Sequence, residues 1–331
     1  MKKINYLLIA LMAVCATGCK RYYQHQGSVF GTYYNIQYKA GSNLEEQIKQ
    51  RLDEFDASLS AFNPNSTISR INNNESMETD PYFERMFETA QYVNEMSNGG
   101  FDITIAPLVN AWGFGFKHKE NVTQELIDSL LPLVNFPSIK IENHQVVKSN
   151  PKMMMDASAL AKGYACDVVA ELLEENGSKN YLVDIGGEVV VEGNNRNFNP
   201  WTIGITKPID DPTGEKQELQ DIIETTGLRM ATSGNYRNYY LDDGVRRSHT
   251  IDPRTGYPIH HKLLSATVIA PNCMLADALA TACMVLGEYQ AAVMMSQIRE
   301  TAYYFILTDE DGNMITKISQ NWDKLLHNEE L

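Results

Sequence analysis

Apolar residues recur at intervals of three and four positions in four stretches of the chain, which is typical of helices that bury one face. Helix-ending signals follow two of these stretches, namely Asn98-Gly99-Gly100 and Gly177. The pattern predicts helices over residues 44–59, 83–93, about 159–175 and about 275–286. Two helices therefore lie early in the chain and two in its second half.

Six short runs rich in β-branched and aromatic residues predict strands. They cover residues 181–183, 189–191, 201–205, 265–269, 303–307 and 314–318, and Asp311-Gly312 predicts a turn between the last two. Short turns join antiparallel neighbours, whereas parallel pairs need a crossover of a dozen residues or more. The sequence thus predicts a continuous α+β body with mainly antiparallel sheets and packed helices.

The first residues have the features of a targeting segment. Lys2 and Lys3 precede an almost wholly apolar run over residues 6–16, which is too short to span a bilayer permanently. Small residues then stand immediately before Cys19, as in a bacterial lipobox, where the cysteine is lipidated and becomes the new N-terminus. A simple secretory signal is the alternative. We predict a signal peptide over residues 1–18 and a body over 19–331, as one domain or two closely packed lobes.

The composition of the chain argues against some classes of binding partner. The chain has 331 residues, with 28 Lys and Arg against 42 Asp and Glu, and its formal net charge is -14 at pH 7. This balance argues against nucleic acid as a partner, and an anionic substrate would need a local cation from a side chain or a metal ion. Beyond the signal segment the thiols are Cys166, Cys273 and Cys283. An odd number argues against a disulfide framework and predicts small, buried apolar side chains.

Several common catalytic motifs are absent from the sequence. It contains no GxGxxG after a strand, no GxxxxGK[ST], no GxSxG and no HExxH. Rossmann dinucleotide binding, P-loop chemistry, α/β-hydrolase catalysis and zincin chemistry are therefore disfavoured. The seven His are scattered singly apart from His260-His261, which also argues against a zinc site.

One polar pair falls inside the last predicted helix. Asp277 and Thr281 are four residues apart among small side chains, so a carboxylate and a hydroxyl share one helix face. Two such oxygens could hold Mg²⁺, which keeps several waters and takes only one or two protein carboxylates. A solvated or capping Asp/Thr pair is the alternative.

Three further segments combine polar groups with turn signals. Asp156 and Lys162 lie on either side of a predicted helix start, where free backbone N–H groups favour an anion. An N-cap Asp followed by a surface Lys is the alternative. Gly186 and Gly187 interrupt a strand and permit close approach of a ligand or form an ordinary hairpin. His249 lies in a polar, turn-rich segment beside an acid and could titrate near neutral pH, or could simply be an exposed turn residue.

Taken in order, these segments resemble the signature of the ApbE family, the FAD:protein FMN transferases, over essentially the whole body from about Gly27 to the C-terminal hairpin. The matching segments are Gly31-Thr32, Phe101-Asp102-Ile103-Thr104, Pro107-Leu108, Trp112-Gly113-Phe114-Gly115, residues 156–163 and 184–187, Thr232-Ser233-Gly234-Asn235-Tyr236, and residues 248–256 and 276–281. The resemblance implies a T-fold-like core. It also implies that FAD binds with Mg²⁺ and that FMN passes to a Thr or Ser hydroxyl of a partner protein, with release of AMP.

Site roles follow from the resemblance, position by position. Mg²⁺ would be held by the side chains of Asp277 and Thr281 and by Ala159, which can offer only its backbone carbonyl. Asp156 and Lys162 would contact FAD, although relatives have an acid at the second of these positions. The acceptor protein would carry a motif of the form D-G-x-[ST]-G-A-[ST], where x is hydrophobic or polar.

The resemblance further implies an apolar wall around the flavin and one catalytic base. His249 would accept the proton of the incoming hydroxyl. The positions that match the flavin wall are Phe30, Phe62, Gly100, Phe101, Asp102 and Ile251. Aromatic and apolar groups suit a flat ring system.

Two other functions remain open at this stage, namely a Mg²⁺-dependent FAD pyrophosphatase that gives FMN and AMP, and a flavin-binding lipoprotein without catalysis. With its lipid on Cys19, the protein would sit on a bacterial membrane and face the periplasm or the exterior.

Overall fold

The structure is a computed structural model that describes residues 20–115, 122–209, 218–235, 239–242 and 245–327, with the backbone alone for residues 239–242 and 245–248. The predicted signal peptide and the predicted lipidation site Cys19 lie outside the described residues, as does Tyr236 of the family signature. The division into a signal peptide and a body stays a prediction.

Fourteen strands occur in the described residues. They are β1 Arg21–Val29, β2 Thr32–Ala40, β3 Ile139–Glu142, β4 Gln145–Lys148, β5 Tyr181–Ile185, β6 Glu188–Glu192, β7 Trp201–Thr206, β8 Leu219–Thr225, β9 Gly227–Gly234, β10 Tyr239–Asp242, β11 Val245–Ser248, β12 Leu263–Ile269, β13 Ala302–Thr308 and β14 Met314–Ile318. Eight of them form one sheet in the order β1-β2-β5-β6-β9-β12-β13-β14, in which all neighbours are antiparallel. The predicted α+β class with a mainly antiparallel sheet is confirmed.

Eight α-helices occur in the same described parts of the chain. They are α1 Glu45–Leu59, α2 Thr67–Asn72, α3 Pro81–Met96, α4 Ala106–Trp112, α5 Gln124–Leu130, α6 Ala161–Glu175, α7 Cys273–Met295 and α8 Trp322–Leu326. The four predicted helices correspond to α1, α3, α6 and α7. The predicted end near Leu286 coincides with a break in α7, because Gly287 adopts a non-helical conformation with a φ of 72°, and a second helical segment follows it to Met295.

Alternation along the strands gives the sheet two different faces. One face packs against helices α1, α3, α6 and α7 and forms the main core, to which Val183 and Val190 belong. The opposite face buries Leu182, Val189 and Met230 beneath the β7–β8 hairpin and α8. Neighbouring residues of one strand therefore belong to different cores.

Helix α7 is long and apolar enough to cross a membrane by length and composition alone. However, 61% of its apolar window is buried inside the protein, which is what a core helix shows. Its first residue, Cys273, is buried together with Cys166 and Cys283, and these three thiols are free. The predicted absence of a disulfide framework thus holds for the described residues.

Candidate active site

Several turns of the large sheet meet at one of its ends. The β1–β2 turn contains Phe30 and Gly31, the β5–β6 turn contains Gly186 and Gly187, and β9 ends at Gly234. A Cβ atom on Gly186 would lie 3.0 Å from the Thr32 side chain and 3.3 Å from Cδ of Lys162. The φ of Gly186 is 68° and that of Gly187 is 100°, which only glycine adopts freely. The double glycine therefore lets the β5–β6 turn approach the start of α6.

Helices α6 and α7 approach each other closely at Gly163. A Cβ atom at this position would lie 2.2 Å from the backbone oxygen of Cys273, so no side chain fits without displacing the backbone of α7. The Gly163 N–H donates a hydrogen bond of 3.0 Å to Oδ2 of Asp277. Gly163 thereby brings the predicted ligand Asp277 against the first turn of α6, beside Lys162.

Lys162 lies between two buried carboxylates. Its Nζ is 2.6 Å from Oε1 of Glu188 and 3.9 Å from Oδ2 of Asp277, and both acidic side chains are only 3% exposed. Burial alone would lower the pKa of Lys162, but the charges of Asp277 and Glu188 outweigh burial and raise it. Lys162 is therefore a cation at neutral pH and not the surface lysine of the alternative interpretation.

Two acidic side chains share a single lysine in this cluster. Burial, together with the nearby Asp277, raises the pKa of Glu188 to about 8 even though Lys162 acts in the opposite direction. Burial also raises the pKa of Asp277 against the effect of Lys162 and the Gly163 N–H. Oε2 of Glu188 is buried without a hydrogen-bond partner among the described residues. Two acids thus share one lysine and one carboxylate oxygen has no partner among the described residues, so a further cation would favour the ionised form of both acids.

Glu188 is the site residue that the sequence did not single out. It follows the double glycine directly, and the two-residue turn places it on the helix-facing side of the sheet. The signal was an acid directly after Gly-Gly at the start of an otherwise apolar strand, Glu188-Val189-Val190-Val191.

The predicted magnesium ligands lie together. The hydroxyl of Thr281 is 3.4 Å from the backbone oxygen of Ala159 and 3.1 Å from Oγ of Ser233. Asp277, one helical turn before Thr281, faces the same start of α6. The donors are a carboxylate, a hydroxyl and a carbonyl, which are the hard oxygens that Mg²⁺ prefers. Because only one of these donors is a carboxylate, the set fits a metal that retains waters. Among the described residues no group of three or more His, Cys, Asp and Glu is arranged to hold a metal ion.

Asp156 lies just before this cluster but does not cap the helix. Helix α6 begins at Ala161, and Oδ1 of Asp156 accepts a hydrogen bond of 2.8 Å from the Ser158 N–H within a preceding turn. The N-cap interpretation of Asp156 was therefore wrong, because residues 157–160 form a turn of their own. The Asp156 N–H donates to the backbone oxygen of Ile103 at 2.7 Å, which ties this residue to the segment after Asp102.

The corner formed by Gly100, Phe101 and Asp102 is rigid. A Cβ atom on Gly100 would lie 2.9 Å from the Leu286 side chain, and Phe101 is buried. Oδ1 of Asp102 accepts from the N–H and hydroxyl of Thr104 at 2.7 and 2.5 Å, and Oδ2 accepts from the Phe136 N–H at 3.0 Å. Both carboxylate oxygens of Asp102 thus hold the corner in place.

The aromatic positions of the predicted flavin wall differ in exposure. Phe62, shortly after α1, is 76% exposed. Phe30 is half-buried 5.6 Å from the Phe55 ring, and its φ of 51° places a bulky residue in the left-handed region, a strained conformation that is common at ligand sites.

The His249 segment lies beside the far end of α4. The ring of His249 is 6.4 Å from that of Phe114. Ile251 is buried in a small cluster with Leu108 and Trp112, and the Trp112 indole N–H donates to the backbone oxygen of Gly256 at 2.8 Å. The segment from the Asp102 corner to Phe114 therefore contacts Asp156 near one end and the His249 segment at the other.

The chain is similar to known proteins in both sequence and fold. Residues 30–305 match the ApbE family. A Vibrio cholerae protein named FAD:protein FMN transferase is 35% identical over 322 residues, covering 93% of this chain and 95% of that protein. The solved flavin transferase ApbE from Vibrio cholerae superposes with a TM-score of 0.83 at 33% identity, covering 92% of this chain and 99% of that one.

A second solved relative is the flavinyl transferase ApbE of Pseudomonas stutzeri in its apo form. It has a TM-score of 0.80 at 30% identity and covers 93% of this chain and 97% of its own. Fold, site and similarity together define an enzyme of the transferase class. The chain belongs to the ApbE family.

Proposed function

We propose that this protein transfers FMN from FAD to a Thr or Ser hydroxyl of a partner protein, in a Mg²⁺-dependent reaction that releases AMP. The names of its relatives support the flavin donor and the protein acceptor. The observation that carries the proposal is the buried cluster of Lys162, Asp277 and Glu188 beside the hydroxyl of Thr281 and the carbonyl of Ala159. An acidic protein of net charge -14 needs local positive charge to bind an anionic pyrophosphate, and Lys162 together with a bound metal ion would supply it.

The oxygen donors define the metal site in this proposal. Asp277, Thr281 and the backbone oxygen of Ala159 would hold Mg²⁺, with water completing its coordination. When bound, the metal would neutralise charge on the pyrophosphate and so favour attack at phosphorus.

The chain's own groups bind and orient FAD. Lys162, kept protonated by its carboxylate partners, supplies a fixed positive charge for a phosphate oxygen. Asp156 lies next to that helix start and contacts FAD at its polar part. Phe30 and Phe62 line the flavin ring, together with Ile251 and the corner Gly100, Phe101 and Asp102. Apolar walls favour a flat ring and exclude water from it.

The transfer step is a substitution at the FMN phosphorus. The acceptor hydroxyl oxygen forms a bond to this phosphorus, while the bond from phosphorus to the bridging oxygen breaks and AMP leaves with that oxygen and its electron pair. His249 accepts the proton of the hydroxyl, so the product is a phosphoester of Thr or Ser. A positioned base of this kind typically contributes ~10²–10⁴-fold to the rate.

The test is a time course with FAD, Mg²⁺ and a peptide that carries the motif D-G-x-[ST]-G-A-[ST]. We expect AMP and an FMN adduct of the peptide in equal amounts, and neither product after addition of EDTA. Free FMN in place of the adduct at saturating peptide would establish the pyrophosphatase function instead. Binding of FAD without AMP release would establish a flavin carrier.

We further propose that Cys19 carries a lipid that anchors the protein to a bacterial membrane, facing the periplasm or the exterior. The proposal rests on the small residues before Cys19 and the short apolar run that precedes them. Replacing Cys19 by Ala should move the protein out of the membrane fraction. An unchanged distribution of Cys19→Ala, with a mature N-terminus elsewhere, would contradict the anchor.

A further inference from the structure

A polar groove of about 490 Å³ lies on the face of the sheet opposite to helices α6 and α7. Its floor is made by strands β2, β5, β6 and β9, and one wall is the β7–β8 hairpin. Residues along it include Tyr33, Asn35, Gln37, Asp184, Thr206 and Thr232. None of the roles proposed above uses this groove.

The groove runs along β5, from the loop between β6 and β7 to the β5–β6 turn. Asn195, Arg196 and Asn197 line it near the start of β5, where the hydroxyl of Tyr22 donates to the backbone oxygen of Asn194. Gly186 and Gly187 line it at the other end of β5. At ~3.3 Å per residue, this five-residue strand gives the groove a length of about 16 Å.

The groove and the proposed metal site lie on opposite faces of the sheet near Gly186 and Gly187, and consecutive residues of β9 reach one each. Thr232 lines the groove on one face of β9, and the next residue, Ser233, points to the other face and lies 3.1 Å from the hydroxyl of Thr281. The Gly186 backbone lies between the groove and the Lys162 side chain. Cδ of Lys162 would be 3.3 Å from a Cβ atom on Gly186. A chain that leaves the groove at this end passes the Gly186-Gly187 turn, beyond which Lys162 and Thr281 lie.

The chemistry of the lining suits a peptide better than a nucleotide. Asn35, Gln37 and Asn197 have side-chain amides, which both donate and accept hydrogen bonds, as each residue of an extended peptide does. Oδ1 of Asn35 accepts from Gln24 and Gln26, so its NH2 group is the part that would pair with a peptide, and the Asn195 amide is bonded within its own loop. The charged side chains of the lining are one acid, Asp184, and one base, Arg196. A dinucleotide with two phosphates would require an excess of cations, which this lining lacks.

We infer that this groove, rather than the flavin pocket, binds an extended segment of the acceptor protein on one side of the hydroxyl that receives FMN. The inference rests on the proposed function and assigns the acceptor its own surface. About five residues of the acceptor lie along β5, with their backbone groups paired to the amides of Asn35 and Gln37. FAD occupies the helix side of the sheet, so both substrates meet at the Gly186-Gly187 turn without competing for space.

The experiment measures the affinity for acceptor peptide and for FAD separately. The binding probe is a fluorescein-labelled peptide with the acceptor motif in which the receiving Thr is replaced by Val, so that no chemistry occurs. The variants are Asn35→Ala with Gln37→Ala on the floor, and Thr206→Trp on the hairpin wall. Gln50→Ala, an exposed amide on α1, is the matched control.

We expect the floor variant to weaken peptide binding at least tenfold, because it removes two side chains that hydrogen-bond the peptide, and the wall variant to weaken it about tenfold because the indole fills part of the groove. FAD affinity, followed by flavin fluorescence, should stay as in the wild type. With the reactive peptide, KM should rise to the same extent while kcat at saturating peptide is kept, which is the signature of lost ground-state binding. The control should match the wild type throughout.

Three results would overturn the inference: unchanged peptide affinity in both groove variants, an equal loss of FAD affinity, or an equal loss in Gln50→Ala. The floor variant changes β2 and the wall variant changes β7. Local damage to β2 therefore cannot explain a loss of affinity that both variants show. Failure of the proposed function is distinguishable, since the wild type would then bind the unreactive peptide in the groove but transfer no FMN to the reactive one.

Discussion

The Nζ atom of Lys162 lies 2.6 Å from Oε1 of Glu188, across the contact between the first turn of α6 and the start of β6. Glu188 is almost fully buried, whereas about a third of the Lys162 side chain is exposed. The pair therefore lies at the boundary between the core and the proposed site, where its charge is available to a ligand. Its two residues are 26 positions apart, so they are joined by the fold and not by local sequence.

Removing either member of this pair should destabilise the protein. Lys162→Met leaves Glu188 and Asp277 without a cation and should cost about 2–3 kcal/mol, less than for a fully buried pair because Lys162 is partly exposed, whereas Glu188→Gln leaves Lys162 paired with Asp277 and should cost less. The double variant should cost clearly less than the sum of the two single variants. Urea unfolding measures all three. Lys317→Met, which removes an exposed ion pair with Glu288, is the control and should change stability by less than ~1 kcal/mol. Strict additivity would show that the pair is not coupled.

Gly163 should tolerate no larger residue. A Cβ at this position would meet the backbone of Cys273, so Gly163→Ala must separate α6 from α7 and should destabilise the fold by about 3 kcal/mol or more. Gly41→Ala is the matched control, since nothing lies within 4 Å of its Cβ position. We expect the control to stay within ~0.5 kcal/mol of the wild type. Equal midpoints of denaturation for the two variants would contradict the close helix contact.

The parts of the fold that could be predicted from sequence are those with a clear apolar pattern. Helix α1 buries one periodic apolar face, and strands β5, β6 and β13 are short apolar runs that are buried on both faces of the sheet. Strand β1, with the sequence RYYQHQGSV, lies at the sheet edge and is partly or largely exposed along its length. It shows no apolar alternation because it contributes little to either core, and so it was missed.

The site residues also differ in how far the sequence alone predicts them. The pair Asp277 and Thr281 could be recognised because a helix sets their spacing. Ala159 contributes a backbone oxygen, which leaves no trace in the side-chain sequence, so only the family resemblance indicated it. Glu188 depends on the pairing of β5 with β6 and on the packing of α6 above them. The acid after Gly-Gly marks Glu188 as unusual, but its partner Lys162 is set by this long-range packing and not by the local pattern.

Asp167 should make stability depend on pH. It is buried, and its two oxygens accept from the N–H groups of Cys273 and Met274 at 2.9 and 2.8 Å, yet burial raises its pKa to about 6. The native state therefore holds a proton that the unfolded chain, with an ordinary pKa of ~3.9, has already lost. Stability should fall as pH rises from about 4 to about 6, by up to about 3 kcal/mol, relative to the non-titrating Asp167→Asn. Urea unfolding of both proteins across this range measures the difference, and a constant difference would contradict the raised pKa.

His249 should affect the rate of transfer and not the binding of FAD. As a proton acceptor it acts only when the hydroxyl attacks, so His249→Ala should lower kcat by ~10²–10⁴-fold with nearly unchanged FAD affinity. His144→Ala removes an exposed imidazole bonded to Glu84 and serves as the control. A parallel loss of FAD affinity and rate in His249→Ala would assign His249 to substrate binding instead.

Asp277 should be the most sensitive of the proposed metal ligands. Asp277→Asn keeps an oxygen for the Gly163 N–H but removes the only anionic donor of the set, whereas Thr281→Val removes a neutral one. A ligand that binds only the folded protein stabilises it by ~2.7 kcal/mol at a hundredfold excess over its Kd. Mg²⁺ should therefore raise the Tm of the wild type, raise that of Thr281→Val less, and leave the Tm of Asp277→Asn unchanged.

Asp309→Asn, in an exposed turn, is the control and should respond to Mg²⁺ as the wild type does. Because this readout needs no catalysis, it separates metal binding from transfer. A Tm of Asp277→Asn that still rises with Mg²⁺ as in the wild type would show that the metal binds elsewhere.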